Sequence, residues 1–148
     1  MLWSLGNGTD GRSPSAGLIN VNGTLYDTTY NGGAYGYGVV FSLNPGTNGE
    51  AALWSFGNGS DGQNPNRSLV NVNGTLYGTT IFGGTNGDRG TVFSLNPQTN
   101  AEAVLWSFGN AAPGQYSESS LISVKGTPYG TTFFGGTYGG GTVLSIVP

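Results

Sequence analysis

The chain has 148 residues, a net charge of −3 and four basic residues scattered singly, which argues against nucleic acid because phosphate binding depends on clustered Lys and Arg. It has no Cys or His, which excludes disulfides, thiolate or imidazole metal sites, and Ser-His or Cys-His nucleophile pairs. No apolar run reaches the roughly 20 residues of a membrane span, and residues 1–20 lack signal-peptide features, so we expect either a cytosolic protein or a missing leader.

One unit, a strand between two turns, occurs three times. Residues 22–33 read NGTLYDTTYNGG, residues 73–84 read NGTLYGTTIFGG, and residues 125–136 read KGTPYGTTFFGG. Asn-Gly favours tight hairpin turns because both residues tolerate positive φ, and Thr, Leu and Tyr suit a half-buried strand. With 29 Gly but 36% apolar residues, the composition indicates a folded, β-rich chain rather than a disordered one.

The repeat has a period of 51 to 52 residues, measured from Trp3 to Trp54 and from Trp54 to Trp106. In the middle copy we predict four strands, A to D, at residues 68–73, 75–81, 91–96 and 102–108, with apolar residues on both faces. A four-stranded unit of this length, with Gly-Gly after its second strand, has the dimension of a kelch-type β-propeller blade. The predicted fold class is therefore all-β, with three propeller blades in one domain.

The two ends of the chain are complementary. Residues 2–5, LWSL, match LWSF at 53–56 and 105–108, whereas the last copy stops on strand C. We predict a closing outer strand at 2–5 and blades at 6–56, 57–108 and 109–148, the last lacking its own outer strand. Because known propellers need four or more blades, we expect a strand-swapped, six-bladed homodimer, with a fragment of a longer propeller as the alternative.

The combination of DG-x-x-P, GTLYGTT-x-x-GG, G-T-V-F-S-L and L-W-S-F resembles the GloVer tandem-repeat proteins, bacterial chains with many copies of this unit and various cell-surface anchors. The resemblance covers nearly the whole chain, although the third copy departs from it with Pro128 for Leu and AAPGQYS in the loop. It implies an extracytoplasmic, secreted or cell-surface repeat protein, and it implies no activity.

Three acidic residues are candidates for chemistry. Asp10 and Asp61 lie in the loops NGTDG and NGSDG, where oxygen ligands could hold calcium, but Asx residues also build such turns without an ion, and we favour the turn. Asp27 replaces the Gly found at positions 78 and 130, either as a lone functional carboxylate or, as we favour, through repeat drift. No cofactor is expected.

Aromatic residues cluster around the loop between strands B and C. They could stack on sugars or contact a protein, although packing between blades is the interpretation we favour; Tyr35 and Tyr37 are expected to be the exposed pair. The candidate ligand-binding residues are Tyr30, Tyr35, Tyr37, Phe82, Phe134 and Tyr138.

Two functions compete. The leading hypothesis is a non-catalytic binding or surface scaffold, because the repeats bring no convergent set of titratable residues. The alternative is a polysaccharide lyase or glycoside hydrolase that uses carboxylates gathered at the loop rims, with Asp27, Asp10 and Asp61 as the candidates.

Overall fold

The computed structural model describes residues 1–109 and 114–147. Within them the chain consists of strands and turns without helices, which confirms the all-β prediction, and no helix is long and apolar enough to cross a membrane. The strands are β1 (Arg12–Pro14), β2 (Ile19–Val21), β3 (Thr24–Asn31), β4 (Val39–Asn44), β5 (Gly49–Ser55), β6 (Gln63–Pro65), β7 (Val70–Val72), β8 (Thr75–Phe82), β9 (Thr91–Asn96), β10 (Ala101–Ser107), β11 (Ile122–Val124), β12 (Thr127–Thr132) and β13 (Thr142–Ser145).

The strands form three antiparallel sheets, one for each repeat. Sheet 1 has the order β1-β3-β4-β5, with β2 also paired to β3, and sheet 2 repeats this with β10-β9-β8-β6 and β7 paired to β8. Sheet 3 has the order β11-β12-β13. Thus β4 and β9 have neighbours on both sides, whereas β13 pairs with β12 alone among the described residues.

The prediction of four strands per repeat was incomplete. Strand C was predicted at its observed bounds in the middle copy, but strand A is only the three residues of β7, and an unpredicted strand, β6, pairs with the other end of β8. The segment QNP of β6 has no apolar alternation and contains a proline, so nothing in its local pattern favours a strand. Its pairing depends on the edge that β8 offers.

The recurring turn and the recurring Thr pair have clear structural roles. Asn73 and Gly74 both have positive φ, at 51° and 88°, as a two-residue type I′ hairpin requires. The Thr80 hydroxyl lies 2.9 Å from that of Thr91 and accepts the Thr91 amide at 3.0 Å. Thr132 and Thr142 repeat this arrangement at 2.8 and 3.1 Å in sheet 3, so the pairs tie β8 to β9 and β12 to β13.

The sheets pack face to face through two apolar cores. Between sheets 1 and 2 the buried residues are Tyr26, Val40, Phe56, Leu69, Leu76, Phe93 and Leu95. Between sheets 2 and 3 they are Val72, Tyr77, Val92, Phe108, Leu121 and Ile146. The short strand β7 contacts β2 of sheet 1 and β11 of sheet 3, so the three short strands lie side by side.

Two segments limit what the single chain shows about the predicted ring. Residues 1–6 form no strand, so the closing role predicted for 2–5 stays a prediction. Most of the third-copy loop at residues 110–114, and Pro148 at the end of the predicted last strand, lie outside the described residues.

Candidate binding surfaces

Asp10 and Asp61 each bind a tryptophan and a backbone amide. Asp61 accepts the Trp54 indole N–H at 3.2 Å through Oδ2 and the Gly57 amide at 3.0 Å through Oδ1. Asp10 does the same for Trp3 at 3.4 Å and Gly6 at 3.0 Å. Both carboxylates are buried, and desolvation raises the pKa of Asp61 despite these hydrogen bonds. The arrangement shapes the loop between sheets, the turn role favoured from the sequence.

Asp27 is buried in the face of sheet 1, in a position where sheets 2 and 3 have glycine. In those sheets a leucine lies over the glycine: a Cβ on Gly78 would meet Leu69 at 2.8 Å, and one on Gly130 would meet Leu121 at 2.6 Å. Leu69 and Leu121 are 3% and 5% exposed, whereas the equivalent Leu18 is 55% exposed. Leu69 and Leu121 lie in the cores between two sheets, whereas Leu18 lines a cavity together with Asp27.

Asp27 lines a cavity of about 560 Å³ beneath residues 1–5. The side chain is 3% exposed, and its Oδ1 has no hydrogen-bond partner in the described residues. The cavity is otherwise lined by apolar residues and by Glu50, including Trp3, Leu5, Phe41 and Leu43. Burial raises the pKa of Asp27, because the apolar surroundings disfavour the charged form.

Glu50 and Glu102 are equivalent residues that the sequence analysis did not single out. Glu50 pairs with Leu43 and Glu102 with Leu95, and each lies close enough to the Asp of the loop before its sheet for the two charges to interact. Burial, and then the charge of Asp10, raises the pKa of Glu50; burial, and then the charge of Asp61, raises that of Glu102 to about 7. Their only sequence signal was a recurring Glu after the turn.

The first group of predicted aromatic residues lies where sheets 1 and 2 meet, at the ends that carry the Gly-Gly loops. Tyr35 and Tyr37 are both exposed, as expected. Tyr35 lines a small depression with Trp54, and the Tyr37 ring packs against Gly57. Tyr30 is half-buried and holds the neighbouring loop through its carbonyl, which accepts the Asn64 side-chain amide at 2.8 Å.

Phe82 and Phe134 belong to an aromatic cluster that joins sheets 2 and 3. Tyr116 lies edge-on to both, with centroids 6.3 Å from Phe82 and 6.4 Å from Phe134, and Phe133 lies 4.6 Å from Phe134. The Arg89 guanidinium lies 6.0 Å from the Tyr116 ring centre and also donates to the Gln115 side chain. Phe133 and Phe134 remain exposed, so the cluster packs sheets and presents a surface.

Tyr116 was not predicted, and its backbone is unusual. Its φ is 53°, and the equivalent positions in the other two repeats are Asn64 at 56° and Ser13 at 60°. A left-handed conformation is common for Asn but costly for an aromatic residue, so the Tyr116 ring contacts must offset that cost. Tyr138, by contrast, is fully exposed on the loop before β13.

A groove of about 510 Å³ runs along β13. It is lined by β13, by Ile146 and Val147, and by Leu105 and Trp106 of the neighbouring sheet. In sheets 1 and 2 the corresponding place, beside β4 and β9, is occupied by β5 and β10. The groove therefore has the position of an outer strand.

The sequence of the chain matches a family model, the Gloeobacter/Verrucomicrobia repeat, over residues 1–148. The chain belongs to the Gloeobacter/Verrucomicrobia repeat family. This confirms the resemblance to the GloVer repeat proteins. No curated protein matches the chain. Function has therefore to be argued from the surfaces of the chain itself.

Proposed function

We propose that this family member is a non-catalytic, extracytoplasmic module of the β-propeller type, a binding or surface scaffold. The observation that carries the proposal is the repetition of one sheet three times, stacked through equivalent cores with β2, β7 and β11 side by side. Blades of a propeller pack in this way, each covering the next around a common axis. Equivalent apolar cores also explain why the repeats share their core positions but differ in their loops.

The free edge of β13 supports a second copy as partner. The Ile146 amide donates to the Pro128 carbonyl at 2.9 Å, so by alternation the backbone groups of Val143 and Ser145 point away from β12. The side chain of Val143 is 80% exposed, whereas the equivalent Val40 and Val92 are fully buried. An exposed apolar edge of this kind is a template for another strand.

The loop that follows residues 2–5 has the same hydrogen bonds as the loop that follows the outer strand β5. The Trp3–Asp10 and Gly6–Asp10 hydrogen bonds reproduce those of Trp54 and Gly57 with Asp61, although no strand among the described residues pairs with residues 1–6. We propose that residues 2–5 of one copy pair with β13 of another.

The repeat specifies the register of that pairing. Trp54 lies opposite Val40 and Trp106 opposite Val92, so by analogy Trp3 of one copy would lie opposite Val143 of the other. Phe56 and Phe108 donate their amides to Gly38 and Gly90, both at 2.9 Å, so the Leu5 amide would donate to the Gly141 carbonyl. Two copies joined twice make a closed ring of six sheets.

Light scattering tests this assembly. The full chain should have twice its mass of 15.1 kDa, and Val143→Glu should return it to one chain mass because a charge would be buried in the junction. Gln98→Glu adds the same charge on an exposed turn and should leave the dimer intact. A folded, monomeric full chain at all concentrations would refute the pairing.

A cross-link tests the register directly. The chain has no cysteine, so the double variant Trp3→Cys, Val143→Cys should form an intermolecular disulfide, because directly opposed strand residues lie within disulfide range. Trp3→Cys with Ser123→Cys is the matched control, since residue 123 lies on β11, at the other edge of sheet 3. Equal cross-linking in both variants would contradict the register.

Ligand binding would involve the aromatic surfaces at the Gly-Gly ends of the sheets. The exposed rings of Phe133 and Phe134, with Tyr116 and Arg89 behind them, combine residue types enriched at binding hot spots. More specifically, we propose that the ligand is a carbohydrate, since sugars stack on such rings. On a glycan array with multivalent display, Phe134→Ala should lower binding and Gln98→Ala, at the opposite ends of the strands, should not. No signal above background would remove the carbohydrate proposal and leave the scaffold.

An enzyme acting on polysaccharides is the second candidate, and one observation bears on it. Asp27 and Glu50 line the same cavity, and burial raises the pKa of both. Glycoside hydrolysis uses two carboxyl groups with separated roles. Asp10 and Asp61 are less suited, because their oxygens accept hydrogen bonds from the loop. Turnover of any glycan that is abolished by Asp27→Asn would overturn the scaffold proposal.

A further inference from the structure

The outward face of sheet 3 has the composition of a buried core. Ile122, Val124, Tyr129 and Val143 lie on it and are 36% to 80% exposed. Their equivalents in sheet 1 are Ile19, Val21, Tyr26 and Val40, all of which pack into the core against sheet 2. Solvent exposure of four such side chains together indicates a face that another sheet covers.

The outward face of sheet 1 lacks part of the apolar cover that the equivalent face of sheet 2 has. At the junction of sheets 1 and 2, the face containing Gly78, Phe93 and Leu95 is covered by Phe56 and also by Tyr26 and Val40. On sheet 1, Phe41 and Leu43 are covered by residues 1–5, and the cavity of about 560 Å³ remains beside them. Residues 1–5 include Leu5, the counterpart of Phe56. The counterparts of Tyr26 and Val40 are Tyr129 and Val143, on sheet 3.

We propose that sheet 3 of a second copy packs on the Asp27 face of sheet 1, and that Asp27 makes this contact tighten as the pH falls. The proposal rests on the pairing of β13 with residues 2–5 proposed above, which would bring these two faces together. It adds the second surface of the same junction and a dependence on pH that strand pairing alone does not predict.

Asp27 distinguishes this junction from the two inside the chain. Those junctions have Gly78 and Gly130 at its position, each covered by a leucine. Closing the junction would set Tyr129 and Val143 of the second copy over the cavity that Asp27 lines, while its buried Oδ1 stays without a hydrogen-bond partner among the described residues. A carboxylate enclosed by apolar groups favours its neutral form.

The other charged groups around the cavity do not neutralise Asp27. Among the lining residues Glu50 is the second acid, and Asp10 acts on it in turn. Residues 1–5, residues 13–18 and strand β4 carry no charged side chain. The approaching sheet 3 would bring the Tyr129 hydroxyl and, on the exposed turn, Lys125. The junction would therefore bring Asp27 and Glu50 against a sheet whose basic residue is Lys125, on an exposed turn.

The direction of the pH effect follows from proton linkage. Burial already raises the pKa of Asp27 above 3.8 in the single chain, and assembly would raise it further. The dimer therefore takes up protons, and its dissociation constant should fall as the pH drops through the pKa of the assembled form. Each carboxyl can contribute at most about tenfold per pH unit.

The test is the dissociation constant of the full chain by analytical ultracentrifugation between about pH 7.5, where an ordinary carboxyl is ionised, and about pH 4, the usual range of an aspartate. Wild type should bind itself more tightly at the lower pH. Asp27→Asn, and Asp27→Gly, which restores the glycine of the other repeats, should bind tightly at both values. Glu118→Gln removes one exposed charge elsewhere and should keep the wild-type slope, which controls for net charge.

The outcomes separate the two proposals. A wild-type slope that persists in both Asp27 variants, or a wild-type dimer that is no tighter at low pH, would overturn the role of Asp27 while leaving strand pairing intact. Absence of self-association at every pH would overturn the pairing and, with it, this inference. A flattened slope in both Asp27 variants, retained in Glu118→Gln, supports it.

Discussion

Replacing Glu102 with glutamine should stabilise the fold above neutral pH. Glu102 lies on β10, half-buried, with Oε1 buried and unpartnered among the described residues. Desolvation is the main cause that raises its pKa from 4.5 to about 7, and the charge of Asp61 adds to it. Glutamine keeps the shape of the protonated side chain and removes the charge, so Glu102→Gln isolates the ionisation of this group.

The size of the effect follows from the shift. The rise from 4.5 to about 7 corresponds to roughly 3.4 kcal/mol at about 1.4 kcal/mol per pKa unit. The side chain is partly exposed and can reach solvent by changing rotamer, so we expect about 1–2 kcal/mol. Because the pKa of Glu102 is raised in the folded state, this group does not lower the stability of wild type below about pH 4.5. The free energy of unfolding of wild type falls as the pH rises through about 7.

Urea denaturation of both proteins at about pH 4.5 and about pH 8, on either side of the shifted pKa, measures the difference. Glu102→Gln should be close to wild type at the lower pH and more stable at the higher one, with a melting temperature raised by roughly 2–8 °C. Glu118→Gln, at an exposed position, should show no such divergence. An equal stability difference at both pH values would refute the burial argument for Glu102.

Three further predictions concern the loops and the close packing of the sheets. Asp61→Ala should lower the free energy of unfolding by about 2–3 kcal/mol, because it leaves the Gly57 amide and the Trp54 indole without an acceptor. Asp10→Ala should cost less, since its partner Trp3 is exposed, and a larger loss in Asp10→Ala than in Asp61→Ala would contradict this. Calcium and EDTA should leave the melting temperature unchanged, and a rise with calcium that is absent in Asp61→Ala would reinstate the metal hypothesis. Gly78→Ala should lower the free energy of unfolding by about 1–3 kcal/mol in urea denaturation, because its Cβ would lie 2.5 Å from the buried Phe93 ring. Gly140→Ala is the control and should be nearly neutral, since a Cβ there meets nothing within 4 Å.

Local chemistry made part of this protein predictable. The Asn-Gly turns, the Thr-rich strands and the Gly-Gly loops act through backbone preferences and neighbouring residues, so their pattern alone indicated three hairpin-based repeats and the bounds of β9. The exposure of Tyr35 and Tyr37, flanked by glycines, followed in the same way. The family was recognisable because these signals recur at one period.

Tertiary structure decided what depends on partners far apart in the chain. The strand β6 forms because β8 offers an edge to pair with. Tyr116 joins Phe82 to Phe134, although Tyr116 lies 34 positions after Phe82 in the chain. The burial of Asp27 follows from residues 1–5 above it and Phe41 beside it. The raised pKa of Glu102 follows first from its burial and then from the charge of Asp61, which precedes it by about 40 residues in the chain. Desolvation and ring contact arise only when sheets stack, because no local pattern records which face of one repeat will cover another.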